Sequence, residues 1–80
     1  MNKVVKINLN SIDRVKSFCN MIFNFDGSLT LTHGRYAVDA KSIMGIYSLD
    51  LTQDLELHIE GKTEEAVDAF IKSIKDYIVE

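Results

Sequence analysis

The sequence predicts an α+β fold, a four-stranded antiparallel sheet with its helices on one face. Three observations carry that expectation. Four short segments alternate apolar and polar residues, the pattern of a strand buried on one side only. Two longer segments repeat apolar residues at helical spacing. The elements run strand, helix, strand, strand, short helix, strand, helix, and one sheet covered on a single side satisfies every apolar face at once.

The elements follow in order. Val5, Ile7 and Leu9 alternate with Lys6 and Asn8, giving the first strand. Asn10 or Ser11 offers a cap, and Ile12, Val15, Phe18, Cys19 and Ile22 then make the stripe of a helix from about Ser11 to Asn24. Asp26-Gly27 ends it with turn chemistry. Leu29 and Leu31 alternate with Ser28, Thr30 and Thr32 in a second strand, and Tyr36, Val38 and Ala40 alternate with Ala37 and Asp39 in a third. His33-Gly34 between them signals a tight turn, so the pair reads as a β-hairpin. A short helix opens at Ser42 and runs to about Leu49. Leu55, Leu57 and Ile59 alternate with Glu56, His58 and Glu60 in a half-exposed strand that Gly61 breaks. Thr63 caps a last helix to about Val79, with Glu64 and Glu65 in the first turn, where the helix dipole favours negative charge. Val67, Phe70, Ile71, Ile74 and Ile78 form its stripe. The helix-free face of the sheet is expected to show Lys6, Asn8, Thr30, Glu56, His58 and Glu60.

Composition narrows the function. With 80 residues, 46% of them hydrophobic and 26% charged, the chain is expected to form one domain over 1–80 with a thin single core. A net charge of −3 gives no basic footprint for nucleic acid. No apolar run approaches the ~20 residues that span a bilayer, and the apolar run at Met1–Lys6 is too short for a secretory signal. The lone Cys19 excludes an internal disulfide and a multi-cysteine zinc site, and on its stripe it reads as an inert core thiol. The expected compartment is the cytoplasm. His33 falls at the hairpin turn, the place of a solvated polar residue. Glu56, His58 and Glu60 share one strand face, but no metal site is expected of them, and no cofactor is implied.

The segment Asp39-Ala40-Lys41-Ser42-Ile43-Met44-Gly45-Ile46-Tyr47-Ser48-Leu49 is the most informative. It sets Ser42 at the mouth of a short apolar helix directly after a strand. A serine there can cap the helix through its hydroxyl oxygen, and the partial positive charge of a helix N-terminus also tolerates a phosphate. Ile43, Met44, Ile46, Tyr47 and Leu49 are more apolar residues than one short helix can bury, so part of Ile43, Met44 and Tyr47 is expected at the surface, as scattered apolar residues or as a docking patch.

Lys41-Ser42-Ile43-Met44-Gly45, followed by Ser48-Leu49, resembles the regulatory-serine segment of HPr, the small phosphocarrier of the bacterial sugar phosphotransferase system. The element order is similar to the HPr open-faced β-sandwich, βαββαβα, over nearly the whole chain. Phosphate-carrying members of that family have a Gly-x-His-Ala-Arg-Pro-Ala signature at the start of the first helix, whose histidine takes phosphate from enzyme I. Counting back from Ser42 without gaps places Ser11 at the histidine, Asp13 at the arginine and Arg14 at the proline. A serine ester is too stable to replace a high-energy phosphohistidine, and Asp13 would repel the phosphoryl group. The chain thus resembles a histidine-lacking member such as the catabolite-repression HPr-like proteins. That resemblance implies a non-enzymatic regulatory protein with Ser42 as the phosphorylation site and Ile43, Met44 and Tyr47 as the partner-binding face. The implied partners are proteins, an HPr kinase/phosphorylase and a transcription regulator, with neither nucleic acid nor membrane. Two alternatives stand beside it: a phosphocarrier with an unrecognised nucleophile, and a bare interaction module without phosphorylation.

Overall fold

The computed structural model describes residues 1–79. The chain runs β1 (Asn2–Ile7), α1 (Ile12–Ile22), β2 (Gly27–His33), β3 (Tyr36–Asp39), α2 (Ile43–Tyr47), β4 (Leu55–Gly61) and α3 (Glu64–Ser73), followed by a 3₁₀ turn at Lys75–Tyr77. The strands form one sheet in the order β1-β4-β2-β3, antiparallel throughout. The predicted α+β architecture is therefore the observed one.

Register explains why the sheet has one wet face. Val5 lies opposite Leu57, and Leu57 opposite Leu31, which in turn faces Val38. Successive strand residues point to opposite faces, so this row and its neighbours at Ile7, Leu29, Leu55 and Ile59 all turn to the helices. The alternate rows carry Val4, His58, Thr30 and Asp39, and Lys6, Glu56, Thr32 and Ala37, on the helix-free face. Phe18, Val15 and Ile22 of α1, Ile46 of α2, and Val67, Phe70, Ile74 and Tyr77 from the C-terminal segment complete one core. Lys3 forms an ion pair with Asp68, tying β1 to α3. No helix among the described residues is long and apolar enough to cross a membrane.

Each helix starts on a side-chain cap. Ser11, Ser42 and Thr63 have extended backbone, and their hydroxyls accept the amides of Arg14, Gly45 and Ala66 at 3.1, 3.2 and 3.0 Å. The hairpin turn places Gly34 at φ +59°, in the left-handed region where glycine meets no Cβ clash.

Several expectations are corrected. The last helix does not run to Val79. It ends at Ser73, with Ile74 as its cap at φ −107°, and re-forms as the 3₁₀ turn. The break lets Tyr77 pack edge-on against Phe18, centroids 5.4 Å apart, while Ile78 bridges to Ile7. β1 ends at Ile7; Leu9 is fully buried but lies in the connection to α1. Asn8 is likewise beyond the strand, and its side chain donates to Asp54. Ile12 is 62% exposed. At about 100° per residue it sits roughly 90° round the helix from the centre of Val15, Phe18 and Ile22. Cys19 lies nearer that line and is half-buried. Tyr36 faces the helix side by register but is 70% exposed, because no helix covers the hairpin end.

Candidate functional site

Ser42 lies where β3 hands over to α2. Asp39 organises this corner: its carbonyl accepts the Ser42 amide at 2.9 Å and its carboxylate accepts the Lys41 amide at 2.9 Å. Both bonds hold the chain in the turn that sets Ser42 ahead of the helix. The Ile46 amide then returns to the Ser42 carbonyl at 3.0 Å, closing the first helical turn. Gly45 fits against this corner. A Cβ there would stand 3.2 Å from Val38 Cβ and 3.4 Å from Ser42 Oγ.

The Ser42 side chain is exposed, so its oxygen is both the cap and a reachable hydroxyl. Lys41, which adjoins it in sequence, points elsewhere: its ammonium donates to the Phe25 carbonyl at 2.7 Å. On α2, Ile46 is fully buried and anchors the helix to the core, whereas Ile43, Met44 and Tyr47 are 40%, 77% and 41% exposed. The expected division of the helix into a buried and a surface set is therefore observed.

Ser11, at the position counted to the family histidine, is also an exposed helix cap. Asp13 is exposed beside it. Arg14 does not reach over Ser11. Its guanidinium donates to the Asn8 carbonyl and to the Asp76 carbonyl, and lies 4.8 Å from the Tyr77 ring centroid. This cluster of Asn8, Arg14, Asp76 and Tyr77 was not legible in the sequence, because three of its contacts are to backbone carbonyls brought together only by the fold. Ile12, exposed at the head of α1, is a further apolar side chain the sequence assigned to the core.

The remaining titratable groups take ordinary places. Burial pushes the Cys19 thiol up in pKa, which keeps it protonated and unreactive. His58 exchanges a hydrogen bond with the Thr32 hydroxyl at 3.0 Å. No three His, Cys, Asp or Glu side chains among the described residues converge as metal ligands. His33 closes β2 at the hairpin turn.

Comparison with known proteins agrees with this fold. A family profile described as the PTS HPr component phosphorylation site matches residues 14–78, beginning just after Ser11. The crystal structure of HPr-C-His from Thermoanaerobacter tengcongensis superposes with a TM-score of 0.71 at 27% identity, over 95% of this chain and 92% of that one. A phosphocarrier protein HPr from Bacillus anthracis str. Ames superposes with a TM-score of 0.65 at 26% identity, over 91% of this chain and 94% of that one. No curated protein is a significant match. The profile spans most of the sequence and the superpositions span nearly all of it, so the chain belongs to the HPr family of the phosphotransferase system.

Proposed function

We propose that this chain is a regulatory member of the HPr family, phosphorylated on Ser42 and read by a protein partner on the exposed face of α2. The carrying observation is the coincidence of an exposed cap hydroxyl with Met44 and Tyr47 standing out of the same short helix. Modification of Ser42 joins its Oγ to the γ-phosphorus of ATP, with ADP leaving and the hydroxyl proton passing to the kinase. The product adds about −1.5 to −2 charge at a helix N-terminus, which the dipole favours. A phosphate oxygen can accept the Gly45 amide in place of the hydroxyl. Phosphorylation therefore leaves the fold intact, and the signal is a surface change. Lys41 is held on the Phe25 carbonyl, so the new charge is left for the partner to neutralise.

The resemblance implies HPr kinase/phosphorylase as the modifying enzyme and a transcription regulator of carbon catabolite repression as the reader. Ser11 is assigned no carrier role: its hydroxyl is engaged as a cap and its neighbours are Asp13 and an Arg14 turned away. Incubation with HPr kinase and ATP, followed by mass spectrometry, tests the reading. Wild type is expected to gain one phosphate and Ser42→Ala none. A chain that a competent kinase leaves unmodified overturns it in favour of the bare interaction module. Acid-labile, alkali-stable phosphate acquired from enzyme I and phosphoenolpyruvate would instead establish a carrier with another nucleophile.

A further inference from the structure

The two edges of the sheet are not alike. Along β1, the C-terminal segment covers part of the outer edge: Ile78 bridges to Ile7, the Asn8 amide donates to the Tyr77 carbonyl at 2.9 Å, and the Val79 amide to the Lys6 carbonyl at 2.8 Å. β3, at the other edge, is paired only with β2 among the described residues. The Ala40 amide donates inward to the Leu29 carbonyl at 2.9 Å. Alternation along the strand then turns the N–H and C=O of Val38 toward β2, and those of Ala37 and the N–H of Asp39 outward. The Asp39 carbonyl is already taken by the Ser42 amide.

We propose that this edge pairs with β3 of a second copy of the chain, antiparallel about a two-fold axis at Ala37, to form one continuous sheet. The register is self-complementary. Centred on Ala37, it sets Arg35 opposite Asp39 of the second copy and Tyr36 opposite Val38, each contact occurring twice. Ala37 faces itself, and its small side chain lets the backbones reach hydrogen-bonding distance. The two Ala37 residues exchange reciprocal N–H···O=C bonds, and each Asp39 amide finds the Arg35 carbonyl across the axis. Tyr36, 70% exposed although its register faces the helix side, gains Val38 as a neighbour. Charge selects the occupant. Arg35, Asp39 and Lys41 flank the strand, as charges protect natural edges from foreign strands, yet against the same strand reversed Arg35 meets Asp39. The contact is short for a permanent dimer, so the association is weak and concentration-dependent.

Sedimentation equilibrium of the free chain over a series up to millimolar concentration tests this, with hydrogen exchange run alongside. Wild type is expected to pass from monomer to dimer, with slowed exchange at the Ala37 and Asp39 amides and unchanged exchange along β1. Ala37→Pro removes an outward N–H that the fold does not use, so it should keep the monomer's circular dichroism and raise the dimer dissociation constant by about tenfold or more. Arg35→Asp, which leaves the Asp39 contacts of the Ser42 corner in place, should weaken the dimer by setting like charges opposite each other, and Arg35→Lys should preserve it; this pair decides the matter if Ala37→Pro fails to fold. A chain that stays monomeric throughout, or a dimer untouched by Ala37→Pro and Arg35→Asp, overturns the proposal. Neither result bears on Ser42 phosphorylation, which is measured separately.

Discussion

Arg14 donates to the Asn8 carbonyl through both Nε, at 3.2 Å, and Nη2, at 2.9 Å. With the Asp76 carbonyl at 3.2 Å and the Tyr77 ring beneath it, the side chain joins the β1–α1 connection to the C-terminal 3₁₀ turn. Arg14→Ala is expected to lower stability by about 1.5–3 kcal/mol, since charged donors to backbone carbonyls are lost together. Arg14→Lys should recover only part, because an ammonium lacks the forked donor geometry. Urea denaturation of the three proteins measures both.

Ser42→Ala should cost about 0.5–2 kcal/mol through the lost cap, and Ser42→Asp should lie clearly above the alanine variant, since a carboxylate also accepts the Gly45 amide and suits the dipole. Thermal denaturation orders the three. Equal stability of the alanine and aspartate variants would contradict the capping geometry.

Phe18 is fully buried against Tyr77, whereas Phe23 is 73% exposed. Phe18→Ala is expected to cost about 3–5 kcal/mol, and Phe23→Ala to stay within about 0.5 kcal/mol. Two aromatic truncations, one within α1 and one at its C-cap, thus test the assignment of the helix's inner face.

Gly27 opens β2 so close to β4 that a Cβ would stand 2.3 Å from the Glu60 carbonyl oxygen and 2.6 Å from the Phe25 ring. The obstacle is backbone and cannot rotate away. Gly27→Ala should destabilise by about 1–3 kcal/mol, visible as a lower urea midpoint at unchanged slope.

The Asp50 carboxylate accepts the Thr52 hydroxyl at 2.6 Å and its amide at 3.1 Å, which hold its pKa below the ordinary aspartate range. The folded value lies below the unfolded one, so this stabilisation is present above the unfolded pKa and is lost as pH falls through the folded one. Thr52→Val removes the hydroxyl bond. It should move the Asp50 titration, followed by carboxyl-carbon NMR, upward toward the ordinary value.

Local pattern was legible wherever local physics decides. Alternation in Leu55–Glu60 and Leu29–Thr32 marked the central strands, and Ser42, Thr63 and the pair Asn10 or Ser11, of which Ser11 is the cap, announced three helix starts because a cap is a contact between near neighbours. The exposure of Ile43, Met44 and Tyr47 followed from counting apolar residues against the area of one short helix. What escaped notice depends on distant partners. Ile78 keeps helical spacing in the sequence, yet pairing with Ile7, seventy-odd positions away, ends the helix before it. The contacts of Arg14 left no mark in the sequence, because its acceptors, the Asn8 and Asp76 carbonyls, carry no signature in side-chain identity.

The placement of β1 between β4 and the residues around Ile78 has a consequence for the order in which the chain can acquire its structure. On the ribosome, β1 emerges first and then waits for Leu55–Gly61 before a neighbour exists, and for Ile78 before its outer side is covered. The β2–β3 hairpin pairs locally and α2 packs on β3, so they are the natural starting nucleus; β2 too must await β4 on its other side, and β1 docks after that. A nascent or prematurely terminated chain lacking β4 presents Val4, Val5 and Ile7 as an unmatched sticky segment, the kind of species that chaperones retain.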